Sequence, residues 1–262
     1  EIKNIKGKVK IMMVGKYYTS GGFSLEDSYV SVIEAIKHAA WAKKVKPEIV
    51  WVDSEKIEKF SSGQVVELLE EIDGMIVPQG WGSRGAEGKI KAVQYARENK
   101  IPYLGLCFGM QMAAIEFGRN VIGLQRANST EINPRTLYPV IHIMPGQKKY
   151  LEKKQYGGTI RLGAWKCKLL PKTKISQLYG KSGIIFERHR HRYEFNNRYR
   201  KRFEKAGMRI VGVSPDGKLV EAVEIPDHPF FIGTQFHPEY KSNPLKPHPL
   251  FLGLIDACLK RK

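Results

Sequence analysis

The sequence predicts an α/β fold, with a mostly parallel central sheet flanked by helices and a smaller antiparallel extension. Three observations point there. Short apolar runs alternate with amphipathic stretches through the first half of the chain. Strand-like runs then follow one another with few helices between them. Finally, 262 residues of which 42% are hydrophobic suffice for one sizeable core.

In chain order, Val9–Gly15 is a short apolar run suited to a buried strand, and a turn-rich loop, Tyr17–Leu25, follows it. Asp27–Ala42 places Val30, Ile33, Ile36 and Ala40 at helical spacing. Ile49–Val52 predicts a strand, Gln64–Leu69 a helix, Gly74–Val77 a strand and Glu87–Glu98 a helix. Pro102–Leu106 predicts another strand, which runs at once into a helix through Phe117. Strands separated by helices imply right-handed crossovers and a parallel sheet covered on both faces. Beyond it, Pro139–Met144, Thr159–Leu169, Met208–Ser214 and Leu219–Ile225 suggest the antiparallel strands. Phe230–Gln235 returns to a buried strand, and Leu250–Leu259 closes the chain as a helix. Repeats, low-complexity tracts and an interdomain linker are absent from the sequence, so one domain is expected.

Composition narrows the possible functions. The longest apolar run, near Ile101–Leu106, is broken by Pro102 and glycine and falls far short of the roughly 20 residues that span a bilayer. No membrane partner is expected, and a cytoplasmic location is. The chain starts Glu1-Ile2-Lys3-Asn4, with neither an initiator Met nor a signal-peptide core, which suggests a fragment of a longer protein. Cys107, Cys167 and Cys258 are too few and too scattered for a disulfide framework or a zinc site, so no metal is expected. The formal charge of +18 is densest over Lys181–Lys205, with a second group around Lys148–Lys154. Such charge suits nucleotide phosphates, an acidic partner or simply a solvated lysine surface. Without a helix-turn-helix, zinc-finger, RRM or KH pattern beside it, no nucleic-acid partner is expected.

Chemistry concentrates in three segments. Gly105-Leu-Cys107-Phe-Gly109 joins a buried strand directly to a helix, the layout of a nucleophile elbow with Cys in place of Ser. Its glycines allow a tight turn, the helix N-terminus favours a thiolate, and the N–H of Phe108 is placed as an oxyanion donor. A packing thiol beside glycines that serve close approach is the competing reading. His237-Pro-Glu239 closes the last apolar strand, where open parallel sheets bind ligands. Two residues apart in extended chain, both side chains would lie on one side, so Glu239 could orient His237 toward the thiol. The third segment, Pro78-Gln79-Gly80-Trp81-Gly82, lets backbone approach a ligand and could complete the oxyanion hole. It is no phosphate loop, because Gly88-Lys89 lacks the following Ser or Thr.

Together these segments resemble the class I (triad) glutamine amidotransferases, a flavodoxin-like family, and in detail the C-terminal glutaminase domains of CTP synthases. The resemblance runs from about Val9 to Leu259. It is carried by Val14-Gly-Lys-Tyr17, Asp27-Ser-Tyr-Val-Ser31, Ser83-Arg-Gly-Ala-Glu-Gly-Lys89, Gly105–Gln111, Asn128-Ser-Thr-Glu131, Gly157–Gly163, Arg188–Glu194 and Gln235–Glu239. It implies a linker remnant over residues 1–8 and a glutaminase domain over 9–262. Cys107 would be the nucleophile, His237 the base and Glu239 its orienting carboxylate, with oxyanion donors at Gly80 and Phe108. L-glutamine would be held by Gln111, Glu131 and Arg192, with Trp81 and Tyr193 lining the pocket and a lesser part for Arg190. The glutaminase step would need no cofactor. Ammonia would pass to a synthetase domain, not contained in this sequence, that aminates UTP with ATP and Mg²⁺; GTP would activate. One departure stands out: the family has Pro-Gly-Gly-Phe-Gly where this chain has Gln79 and Trp81, and a side chain at 79 restricts positive φ. Two other readings fit the same motifs, a γ-glutamyl amide or peptide hydrolase using the triad and a basic regulatory module without catalysis.

Overall fold

The computed structural model describes residues 5, 7–16, 19–20, 23–24, 26–144, 147 and 160–261. Most of the loop at 17–25 and the basic group at 148–154 lie outside the described residues.

The first half is wound as the sequence predicts. Strand β1 (Lys8–Gly15) leads, past the two-residue strands β2 (Thr19–Ser20) and β3 (Phe23–Ser24), to helix α1 (Val30–Ala42). A 3-10 turn at Glu26–Tyr29 occupies the start of the predicted helix, which begins regular α geometry only at Val30. Then come β4 (Lys46–Asp53), α2 (Ser54–Lys59), α3 (Ser62–Glu70), β5 (Gly74–Val77), α4 (Ala86–Glu98), β6 (Tyr103–Leu106) and α5 (Phe108–Asn120). Asp53 starts α2 by accepting the Glu55 N–H at 2.8 Å, which satisfies one orphan donor of the first turn.

The second half contains β7 (Ala127–Ser129), β8 (Tyr138–Ile143), β9 (Arg161–Leu169), α6 (Lys174–Leu178), β10 (Gly183–His191), β11 (Tyr193–Phe195) and α7 (Arg200–Lys205). It ends with β12 (Arg209–Val213), β13 (Val220–Glu224), β14 (Phe231–Thr234) and α8 (Pro249–Arg261). The principal sheet has the order β10-β9-β12-β13-β14-β6-β5-β1-β4. From β14 to β4 every pairing is parallel; from β14 outward to β10 every pairing is antiparallel. The predicted strand at Pro139–Met144 is the exception to the expected extension. As β8 it leaves the principal sheet and pairs with β7 and β11 in a three-stranded sheet of its own.

Burial follows the period-two rule of a sheet covered on both sides. On β1, Met12 and Val14 enter one core with Ile57, Ile90, Val93, Met112 and Phe117, under α2 to α5. Val9, Ile11 and Met13 enter the other, with Val32, Ile36, Leu254 and Ile255 of α1 and α8. The parallel strands are therefore fixed on both faces, and their carboxyl ends can hold side chains rigidly.

Candidate active site

Strand β6 ends at Leu106 and α5 begins at Phe108, so Cys107 alone makes the turn. Its φ of +52° is a left-handed value that a side-chain-bearing residue seldom adopts. The neighbouring glycines serve packing. A Cβ on Gly109 would lie 2.0 Å from the Val77 carbonyl oxygen, and one on Gly105 would lie 2.8 Å from the Gly109 carbonyl carbon. The Cys107 N–H donates to the Thr234 oxygen at 2.7 Å, tying the elbow to β14, its parallel neighbour in the sheet.

Strand β14 brings the second group. It stops at Thr234, and Pro238–Lys241 forms a 3-10 turn, so the expected extended path from His237 to Glu239 is not the one taken. Pro238 fixes the entry to that turn. The side chains meet all the same: His237 Nδ1 and Glu239 Oε1 are 2.7 Å apart, both residues buried. The ring of Tyr240 stacks on the imidazole at 5.3 Å. With Nδ1 turned to the carboxylate, Nε2 is left for Cys107. Burial works against the imidazolium, but Glu239 and then Cys107 outweigh it and hold His237 well above its usual value of 6.5. The His237 N–H donates to the Arg188 oxygen of β10 at 2.8 Å, so the sheet's outer strand also fixes the base.

The remaining predicted residues gather around this pair. Gly80 packs against Phe108, since a Cβ there would sit 3.4 Å from the Phe108 ring. Gln111 Nε2 donates to the Tyr193 carbonyl at 3.1 Å and to Gln235 Oε1 at 3.2 Å. Gln235 Nε2 in turn lies 3.6 Å from the Cys107 sulfur. Glu131 accepts the Gly82 N–H at 2.7 Å. Burial pushes its carboxyl up, against the pull of Gly82, Lys16 and Arg192. Arg192 is 4% exposed and Trp81 is 38% exposed. Arg190 faces the thiol with its carbonyl, 3.9 Å from the sulfur, while its side chain is exposed. Gln79 takes no positive φ, so its side chain costs the loop no left-handed strain; the turn is made at Gly82, φ +70°.

Sequence reasoning passed over two groups. Gln235 lies inside a quoted motif, and its place beside the sulfur was legible only once β14 and α5 were neighbours. The second is a buried polar cluster behind the site, of Arg161 on β9, His189 and His191 on β10, and Glu221 on β13. Arg161 Nη1 lies 2.7 Å from Glu221 Oε1 and 3.3 and 3.4 Å from the two histidines. His189, His191 and Glu221 could in principle share a metal ion, with ligand atoms within 4.8 Å of one another. The guanidinium already fills the cationic position there, and burial together with Arg161 holds His191 down at about 3, a neutral ring. Cys167 and Cys258 are buried, and burial pushes the Cys167 thiol up.

The family model of class-I glutamine amidotransferases fits residues 24–257, most of the chain. The chain belongs to that family. Within it, this amidotransferase falls with the glutaminase domains of CTP synthases. It is 54% identical over 99% of its length to CTP synthase of Caldanaerobacter subterraneus subsp. tengcongensis and 55% identical over 98% to that of Carboxydothermus hydrogenoformans. In both cases it spans 46% of the relative, so the chain is about half the length of the curated relatives it matches. A solved glutaminase domain of the Trypanosoma brucei CTP synthase, with bound acivicin, superposes with a TM-score of 0.88 at 39% identity, covering 97% of this chain and 94% of that one. Among the described residues, no helix of this amidotransferase is long and apolar enough to cross a membrane.

Proposed function

We propose that this chain hydrolyses L-glutamine to glutamate and ammonia through Cys107, His237 and Glu239. The observation that carries the reading is the left-handed Cys107 turn beside an imidazole whose far nitrogen is held 2.7 Å from a buried carboxylate. The Cys107 thiolate attacks the side-chain amide carbon, and the N–H groups of Gly80 and Phe108 receive the oxyanion. Protonated His237 gives its proton to the departing ammonia, leaving a thioester. Neutral His237 then takes a proton from water, the hydroxide adds to the thioester, and glutamate leaves as Cys107 returns to thiolate. An imidazole with a raised pKa suits the first, acid half of this cycle.

Glu131 suits the substrate ammonium and Arg192 the α-carboxylate by a two-pronged contact. Gln111 braces the site through Gln235, with Trp81 and Tyr193 at its wall. These two contacts fit the α-ammonium and α-carboxylate, which glutamine shares with γ-glutamyl conjugates, and the likeness to CTP synthase glutaminase domains is what favours glutamine. The ammonia would serve a synthetase domain like the rest of the CTP synthase relatives, where ATP and Mg²⁺ would support amination of UTP and GTP would act as activator. Glutamate release by the parent and by Cys107→Ala tests the core of the proposal. The variant is expected to lose turnover to background; a Cys107→Ala chain that still hydrolyses glutamine overturns it.

A further inference from the structure

Two buried lysines hold the loop that carries Gly80. Lys16, just past β1, donates from Nζ to the Trp81 carbonyl, and Lys89 in α4 donates to the Pro78 carbonyl at 3.0 Å. Both Nζ atoms stand over the Phe108 ring, at 5.0 and 5.4 Å from its centre. Lys16 is 3% exposed and Lys89 is fully buried. A Cβ on Gly80 would meet the Lys16 stem at 3.2 Å and Lys89 Nζ at 3.4 Å, so the loop lies directly on both side chains.

Peptide geometry gives these contacts a consequence. In a trans peptide the C=O and N–H point in opposite directions. The peptide from Trp81 to Gly82 is gripped at both ends, its carbonyl by Lys16 and its N–H by Glu131 at 2.7 Å. The peptide from Pro78 to Gln79 is gripped at its carbonyl by Lys89. Only two peptide planes remain between the grips, and one of them carries the Gly80 N–H. We infer that Lys16 and Lys89 are positioning residues, which fix the loop so that the Gly80 N–H faces the oxyanion beside Cys107. The inference rests on the proposed glutaminase reaction. Burial, with Lys16 adjacent, holds Lys89 well below the usual lysine value, and its Nζ keeps an N–H for the Pro78 carbonyl in either protonation state.

Lys89→Met and Lys16→Met keep most of each stem and remove the donor. Either is expected to lower kcat for glutamine by at least about tenfold, up to the about 10²-fold cost of a lost oxyanion donor, with KM little changed. Alkylation of Cys107 by iodoacetamide, which forms no oxyanion, should proceed at the parent rate in both variants. Thermal melting checks that each variant folds, and if Lys89→Met does not, Lys16→Met carries the test. Parent-like kcat in a folded variant overturns the inference, as does an equal loss of alkylation and turnover, which marks general disruption. Cys107→Ala, run beside them, reports separately on the hydrolytic reading: residual turnover there defeats that reading, whatever the lysine variants do.

Discussion

The 2.7 Å contact between His237 and Glu239 governs how the imidazole titrates. A group whose pKa rises on folding adds stability that is complete below its unfolded value and disappears as pH climbs through the folded one. For His237 the unfolded value is 6.5 and the folded value lies well above it, with Glu239 the foremost raising group. The gap in melting temperature between parent and Glu239→Gln should therefore be widest at or below about pH 6 and narrow as the pH climbs beyond it. A gap of constant size would contradict that assignment. Glutamine turnover in the same variant should fall by about 10²- to 10⁴-fold, because the ring loses its orienting partner. At this scale the sequence was most informative where chemistry is written in a contiguous motif, as at Cys107 and His237. Gln235, Lys16 and Lys89 were missed because their meaning depends on which loop they touch. Lys89 in particular came to notice only inside a family motif and in excluding a phosphate loop, with no role of its own.

Among the elements, two glycines are fixed for different reasons, Gly88 by close packing and Gly123 by its backbone conformation. Gly88 lies in α4 where a Cβ would be 1.8 Å from the Ser54 carbonyl oxygen, so α4 crosses the start of α2 with no room for a methyl group. Gly123 faces open space but takes φ +77°. Gly88→Ala should cost about 3 kcal/mol or more, since backbone must move. Gly123→Ala should cost about 1 kcal/mol, through backbone strain alone. Urea denaturation of both variants measures the difference, and near-equal costs would refute the packing argument. The parallel strands were legible because both their faces are apolar. Strand β10 was not, although it is nine residues long. Its inward residues are Ile185, Glu187, His189 and His191, so a period-two test for apolar residues fails, and the segment registers only as a dense basic run. Strands β7 and β11, three residues each, are too short to show a period.

For the whole molecule, the polar cluster of Arg161, His189, His191 and Glu221 ties the antiparallel half of the sheet to β14, the strand that leads to His237. Strand β13 carries Glu221 and pairs with β14, and the Glu221 carbonyl accepts the Gln235 N–H at 2.8 Å. Burial, against the pull of Arg161, raises the Glu221 carboxyl to about 7. A carboxyl raised on folding makes the folded state lose stability as pH rises from its unfolded value, 4.5, through about 7. Near pH 5 the parent Glu221 is largely protonated, so Glu221→Gln, which keeps an oxygen for Arg161, should carry a deficit of only about 1 kcal/mol there. Because the variant lacks that titration, its deficit should shrink between about pH 5 and about pH 8 in paired denaturation curves. A deficit that grows with pH would reverse the sign and reject the argument. The charge of +18 said little about this cluster, because the groups that matter are few, buried and nearly neutralised by one another.

The neighbouring places of β6 and β14 in one sheet bear on control. Cys107 and His237 follow adjacent parallel strands, Leu106 level with Thr234, and the strand ends are joined by the Cys107-to-Thr234 hydrogen bond. Their alignment is thus as rigid as the sheet, and no outside body has to assemble it. The Gly80 loop has no strand register to fix it, and among the described residues the hydrogen bonds at its edges come from side chains. A ligand or companion domain that tunes such a catalyst would find the nucleophile and base already set and the loop adjustable, so modulation would appear as a change in how well the anion is received.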